Sequence, residues 1–163
     1  MRNFSLPLSM LVALCLFGQP ATAQTPAAPS PFGMPISVEQ ARAAADAAVA
    51  EAKKNNWYYA VAIVEPSGAL VYFERMDNAQ YASTQIAQDR ARASAVFRRP
   101  TKSFADRVAQ QNDLSVLSLA GSSWSEGGVP IVVDGKLIGA IGASGGTQPQ
   151  DGQVAKAGAD AVK

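Results

Sequence analysis

The sequence contains no histidine and a single cysteine, Cys15. These two scarcities remove most familiar catalytic chemistry before any motif is read. Without an imidazole there is no Ser-His-Asp or Cys-His nucleophile pair and no histidine-bearing zinc set. Cys15 stands inside the N-terminal apolar run. Once that run is removed there is no disulfide, thiolate nucleophile or thiolate metal ligand. Net charge is also scarce, +1 over the chain, and it falls to neutral when Arg2 leaves with the leader. That argues against nucleic acid or an anionic membrane surface as a partner. Carboxylates are present at Glu65, Glu74, Asp77, Glu126, Asp134 and Asp151, but spacing alone pairs no two of them for acid–base work.

The N-terminus reads as a targeting segment. Arg2 gives a short positive region, residues 6–17 are apolar except for Pro7 and Ser9, and Ala21, Thr22 and Ala23 form a small-x-small cleavage signal. The run is too short to span a bilayer. Bulky Leu14 before a mid-run Cys15 speaks against a lipid anchor, so no membrane anchor is expected. The division is then a signal peptide over residues 1–23, a Pro/Ala-rich leader over 24–36 and one domain over 37–163. The mature chain begins at Gln24 and is exported, to the periplasm or outside the cell. Its roughly 140 residues are enough for one domain with one core. The leader carries four prolines and reads as an extended tether.

What the chain does have is a glycine-punctuated hairpin over residues 126–147. Two apolar runs meet at Asp134 and Gly135, a pair that suits a type I′ turn because both central residues take φ > 0. Gly139 and Gly142 lie inside the second run, where a glycine marks a bulge or the close approach of a helix, a backbone or a ligand. A first hairpin is expected from residues 57–65 and 69–76 around Pro66, Ser67 and Gly68. Its end, Arg75 to Asn78, is either a surface ion pair or the rim of a pocket.

Helices are expected over 38–54, with Ser37 and Gln40 as a capping box, over 83–97 from a Ser83 or Thr84 cap, and over 102–111 from a Thr101 cap. A final alanine-rich helix is expected after an Asp151 cap, ending near Lys163. Arg90 falls at helical spacing from Ile86, Ala87, Ala93 and Phe97, near the buried boundary. It is either a snorkelling side chain or a carboxylate anchor. The loop after the second hairpin, Ser144, Gly145, Gly146 and Thr147, lacks the nucleotide-loop spacings, but its N–H groups and hydroxyls can cradle a carboxylate. Two hairpins with alanine-rich helices give an α+β fold: an antiparallel sheet of about five strands with flanking helices.

Three stretches together resemble the GlcG/HbpS-like family, the "haem-degrading domain" also found as the C-terminal part of PduO-type proteins. They are AVAIVEPSGALVYFERMDNA (60–79), STQIAQDRARASAVFRRPT (83–101) and GGVPIVVDGKLIGAIGASGGTQPQDGQVAKAGADAV (127–162). The resemblance implies a profilin- or PAS-like sandwich in a homo-oligomer. Some members are exported and bind haem, one branch being linked to iron release from it or to redox sensing. Others accompany genes for hydroxy-acid or diol breakdown without a settled activity. Positions matching the family motifs include Arg75, Met76, Asp77, Thr101, Gly128, Pro130, Gly142, Ser144, Gly145, Gly146 and Asp151.

Two departures stand out. The family's usual lysine in the second helix is Arg90 here, which keeps the charge but changes the geometry. Histidine, the ligand proposed in some haem-binding members, is absent, so haem iron has only Tyr58, Tyr59, Tyr72, Tyr81, Met76, a lysine or water available.

The expected function is therefore that of an exported small-molecule-binding protein with haem as the favoured ligand. Its ligand site would draw on Arg75, Met76, Asp77, Arg90, Thr101, Ser144, Gly145 and Gly146, between the second helix and the glycine-bearing hairpin. No bare metal site is expected. The alternative is a small enzyme or accessory factor acting on a hydroxy acid, with Ser144, Asp77 and an arginine converging in a closed pocket.

Overall fold

A computed structural model describes residues 28–163. The expected signal peptide, residues 1–23, and the first residues of the expected leader lie outside the described residues. Helix α1 is Val38–Lys54, opened by the Ser37–Gln40 capping box. Strand β1, Ala60–Val64, is buried along its whole length, as an apolar run without alternation requires. It pairs antiparallel with β2, Leu70–Arg75. Helices α2 (Ser83–Phe97) and α3 (Lys102–Gln111) follow, then a short 3₁₀ helix, Leu114–Ser118. Strands β3, Gly128–Val133, and β4, Lys136–Ser144, form the second hairpin. Its turn residues Asp134 and Gly135 have φ of 49° and 73°. Helix α4, Gln148–Asp160, closes the chain.

The sheet has four antiparallel strands in the order β2-β1-β4-β3; about five were expected. The fifth place is partly filled by the leader. β4 runs past the end of β1, which reaches only as far as the Val64–Ala140 pair, and the overhang is met by residues 31–36. Leu137 N–H donates to Pro31 O (2.8 Å), Gly33 N–H to Leu137 O (2.7 Å) and Ile36 N–H to Ile138 O (2.8 Å). The expected tether is thus a docked segment, with Ile36 only 5% exposed.

Helices cover both faces. On one, α1 and α4 pack over Val61, Ile63, Ile131 and Ile141. On the other, α2 lies on Ala60, Ala62 and Ala140 through Ala87, Ala91 and Ala95. This second layer is nearly all alanine, so backbones approach closely. A Cβ on Gly142 would stand 2.0 Å from Ala87 O and 2.5 Å from Ala91 N. The space between α2 and the hairpin, where the sequence placed the pocket, is closed by this packing.

Edge strand β3 is protected at its start. Gly128 donates its N–H to Thr101 Oγ1 (2.9 Å) and accepts from Thr101 N–H (3.0 Å). Two residues on, Pro130 has no N–H to offer. Thr101 and Pro130 therefore block the ladder groups that would otherwise template pairing with another chain. Thr101 was expected to cap α3, but it makes no side-chain cap bond there. Its hydroxyl is turned to the sheet instead.

Candidate functional site

Three chain segments converge at one end of the sheet. α1 ends at Lys54, and the chain turns through Asn56 into residues 57–59 ahead of β1. β2 ends at Arg75 and turns through Met76, Asp77 and Asn78. β4 ends at Ser144 and passes through Gly145 and Gly146 into α4. Asn56 and Asn78 make their turns with φ of 57° and 66°, a region asparagine tolerates better than most residues. Two adjoining hollows result, sharing Tyr58 and Asn78. One, of 400 Å³, is walled by Lys53, Glu74, Arg75, Met76 and Asp77. The other, of 250 Å³, is walled by Asn56, Trp57, Gln80, Gly145, Gly146 and Gln150.

The expected site residues separate into two groups. Arg75, Met76, Asp77, Gly145 and Gly146 line the hollows. Arg75 Nη1 donates to Ala79 O (2.8 Å), and its guanidinium stacks 5.0 Å from the ring centre of Tyr81. Met76 Sδ accepts the Tyr59 N–H at 3.4 Å, so the thioether is tied to the start of β1. Thr101, Ser144 and Arg90 are buried. Ser144 Oγ is 3.3 Å from Ser83 Oγ; Ser83 itself opens α2 without a cap bond from a side chain.

Arg90 holds an internal carboxylate. Its Nη1 donates to Asp151 Oδ2 (2.6 Å) and Ala143 O (2.7 Å), and Nε and Nη2 donate to Ser125 Oγ at 3.1 and 3.0 Å. The guanidinium makes four hydrogen bonds to these three partners from three separate nitrogens, one more than the three N–H groups of a lysine ammonium allow. The other oxygen, Asp151 Oδ1, accepts from Gly145 N–H (3.2 Å) and Gly146 N–H (2.9 Å). The glycine loop is thus a carboxylate cradle, but the carboxylate it holds is the chain's own. Asp151 was expected to cap α4. The helix instead starts four residues earlier, with Thr147 as its cap in a Thr147–Gln150 capping box, leaving Asp151 in the first turn and free to reach back to the loop.

Among the four tyrosines only Tyr58 lines either hollow, and it is half exposed. Tyr59 is fully buried. Burial first, and then the nearby Asp151 charge, push its hydroxyl well above the usual tyrosine range. Tyr72 lies on the sheet under Arg42, and Tyr81 is exposed beneath Arg75. The sequence alone could not separate these four. A signal for the site was present in the asparagines at 56 and 78, residue types that tolerate the left-handed turns framing it.

A larger hollow of 730 Å³ lies between β3, the end of α4 and the start of α3. Its lysines are already engaged, Lys102 with Asp106 and Lys156 with Asp160, each pair at 2.6 Å. Its floor is apolar. Glu126 also lines it.

With this geometry in hand, comparison with known proteins is decisive. Residues 36–160 match the family model described as "Haem degrading protein HbpS-like". The chain belongs to the HbpS-like family. Among its relatives, Protein GlcG of Escherichia coli K12 is 42% identical over 109 residues, covering 67% of this chain and 81% of GlcG. An uncharacterized 15.0 kDa protein from the dhaT-dhaS intergenic region of Citrobacter freundii is 31% identical over 128 residues, covering 77% of this chain and 90% of the relative. The crystal structure of HbpS superposes with a TM-score of 0.74 at 30% identity, over 80% of this chain and 92% of HbpS. That of a PduOC:heme complex does so with 0.71 at 26%, over 80% and 96%. This HbpS-like chain therefore shares its α+β sheet-and-helix arrangement with proteins whose structures include one solved with haem.

Proposed function

We propose that this HbpS-like chain is an exported haem-binding protein that works as a homo-oligomer. The observation that carries the reading is Tyr58, a half-exposed phenol on the wall of a hollow that also presents Arg75 and Lys53. A tyrosine oxygen can ligate haem iron, and cations beside it suit propionates. Met76 is the weaker candidate for iron because its sulfur already accepts a main-chain N–H.

Four residues of this wall support haem, and Glu74 and Asp77 stand on the same wall as the two cations. Tyr58 would face the iron, Arg75 and Lys53 the propionates, and Met76 the apolar macrocycle. Bound haem would supply a redox-active iron; the chain binds and orients it. No group of three or more His, Cys, Asp or Glu among the described residues is placed to hold a bare metal ion. The oligomer reading is supported by exposed apolar side chains on one segment, Leu114, Leu117, Leu119 and Trp124, each at least 38% exposed.

The alternative, an enzyme acting on a hydroxy acid, needs Ser144, Asp77 and an arginine in one closed pocket. Ser144 is instead buried against Ser83, while Asp77 lines the open hollow, so that constellation is not assembled.

Arg75→Ala tests the propionate assignment. It is expected to weaken haemin binding about tenfold and to leave the visible spectrum of the saturated complex unchanged. Equal affinity of the two proteins in an absorption titration would remove Arg75 from the site.

A further inference from the structure

We infer that the 730 Å³ hollow beside β3 is a binding site for a small organic cation, an ammonium group on an apolar body, and that Glu126 is the residue that pairs with the ammonium. The starting point is an unanswered carboxylate. Glu126 is half-buried, and its main chain is fixed by an N–H that donates to Gln148 Oε1 (3.2 Å). Among the described residues its carboxylate has neither a hydrogen-bond nor an ion-pair partner. A carboxylate partly withdrawn from water keeps its demand for a cation or a donor.

Helix α4 makes room for this carboxylate. A Cβ on Gly152 would stand 2.7 Å from Glu126 Cδ and 2.8 Å from its Cγ, and closer still to Oε1. Gly152 lies inside α4, where alanine would suit the helix better. The glycine weakens its own helix, and the space it leaves is filled by Glu126 at the wall of the hollow.

The rest of the lining decides the sign and the body of the ligand. Lys102 Nζ donates to both oxygens of Asp106 (2.6 and 2.7 Å), and Lys156 Nζ to both of Asp160 (2.9 and 2.6 Å). Asp106 is the first cause of the raised Lys102 pKa and the Glu126 charge the last. An anion, a haem propionate included, would therefore find each cation of the hollow already answered. The charge in excess is that of Glu126, so a cation is favoured. Its body is apolar, because Val129, Pro130 and Val132 of β3 form the floor with Pro100, Ala159 and Val162. Val132 is 42% exposed. The volume lies in the range usual for small-molecule pockets. A partner strand is disfavoured as the occupant, since Thr101 and Pro130 close the ladder groups at the start of β3. No residue of this hollow lines either of the two hollows around Tyr58, so the site is separate from the one proposed for haem.

The test uses the chain from Gln24, with phenethylammonium as the probe and phenethyl alcohol and hydrocinnamate as neutral and anionic comparators of matching body. Amide chemical shifts of Gly128 and Gly152 read the binding. The expected result is a saturable shift with the ammonium, about tenfold tighter than with either comparator. Glu126→Gln should weaken the ammonium about tenfold and leave the affinity for phenethyl alcohol unchanged, a split that damage to the fold would not produce. Gly152→Ala should also weaken the ammonium, because the three atoms nearest the added methyl all belong to the movable end of Glu126. The inference is overturned by equal or tighter binding of the alcohol or the carboxylate, by unchanged ammonium affinity in Glu126→Gln, or by no saturable shift with the ammonium. Self-association of the chain that competes with the ammonium would assign this face to a second copy and overturn it as well. Competition between haemin and the ammonium would show one site and have the same consequence.

Discussion

Asp151→Ala is expected to destabilise the protein by about 3–5 kcal/mol, the usual cost of removing one partner from a buried ion pair. Three losses coincide. The Arg90 guanidinium, with its side chain 6% exposed, is left charged and unpaired next to Ala143 O. The N–H groups of Gly145 and Gly146 lose their acceptor. The join between α2, the end of β4 and α4 then loosens, since Asp151 is the atom group all three share. Against a total stability that for ordinary domains is about 5–15 kcal/mol, the loss is large. Urea unfolding would read it as a lower midpoint. The double variant Arg90→Met, Asp151→Leu removes both charges and is expected to be less destabilised than the sum of its single changes, by up to about 3 kcal/mol. Strict additivity would mean that the pair is not coupled as its geometry requires.

Gly142→Ala is expected to be nearly as damaging, about 3 kcal/mol, through overpacking. The added methyl would meet main-chain atoms of α2, Ala87 O at 2.0 Å and Ala91 N at 2.5 Å, and neither can rotate away as a side chain would. The helix must lift from the sheet, opening a layer that Ala60, Ala62 and Ala140 keep thin. Gly121→Ala provides the comparison. A Cβ there meets nothing within 4 Å, although its φ of 73° adds backbone strain, so a cost of only about 1 kcal/mol is expected. A thermal melt that placed the two variants together would contradict the close approach of α2.

Much of this fold can be read from local pattern. The Asp134-Gly135 turn, the alanine stripe of α1 and the bounds of α2 and α3 follow from residues that act on their immediate neighbours. Misreadings fall where a polar side chain at a helix start serves a distant partner. Thr101 reaches Gly128, and Asp151 reaches Arg90, across the fold. Near a helix start such residues look the same whether the hydroxyl or carboxylate turns to its own helix or away from it. The leader was hard to read for a related reason. Proline removes an N–H but keeps its carbonyl, and this segment pairs with β4 through Pro31 O and the N–H groups of Gly33 and Ile36. At the site, the strand-end residues Arg75, Met76 and Asp77 and the glycine loop were legible as a rim. That Arg90 answers Asp151, and that Tyr58 stands apart from the other tyrosines, depends on how three separated chain ends meet.

Tyr58 as the residue that holds haem, in a protein without histidine, is open to direct test. The direct measurement is a haemin titration of the chain from Gln24 and of its Tyr58→Phe variant, following the Soret and visible bands to saturation. The account predicts defined stoichiometry for the wild type and, for Tyr58→Phe, a changed visible spectrum with affinity reduced about tenfold or more. A spectrum and affinity unchanged by Tyr58→Phe, or a featureless and non-saturating response from the wild type, would contradict it.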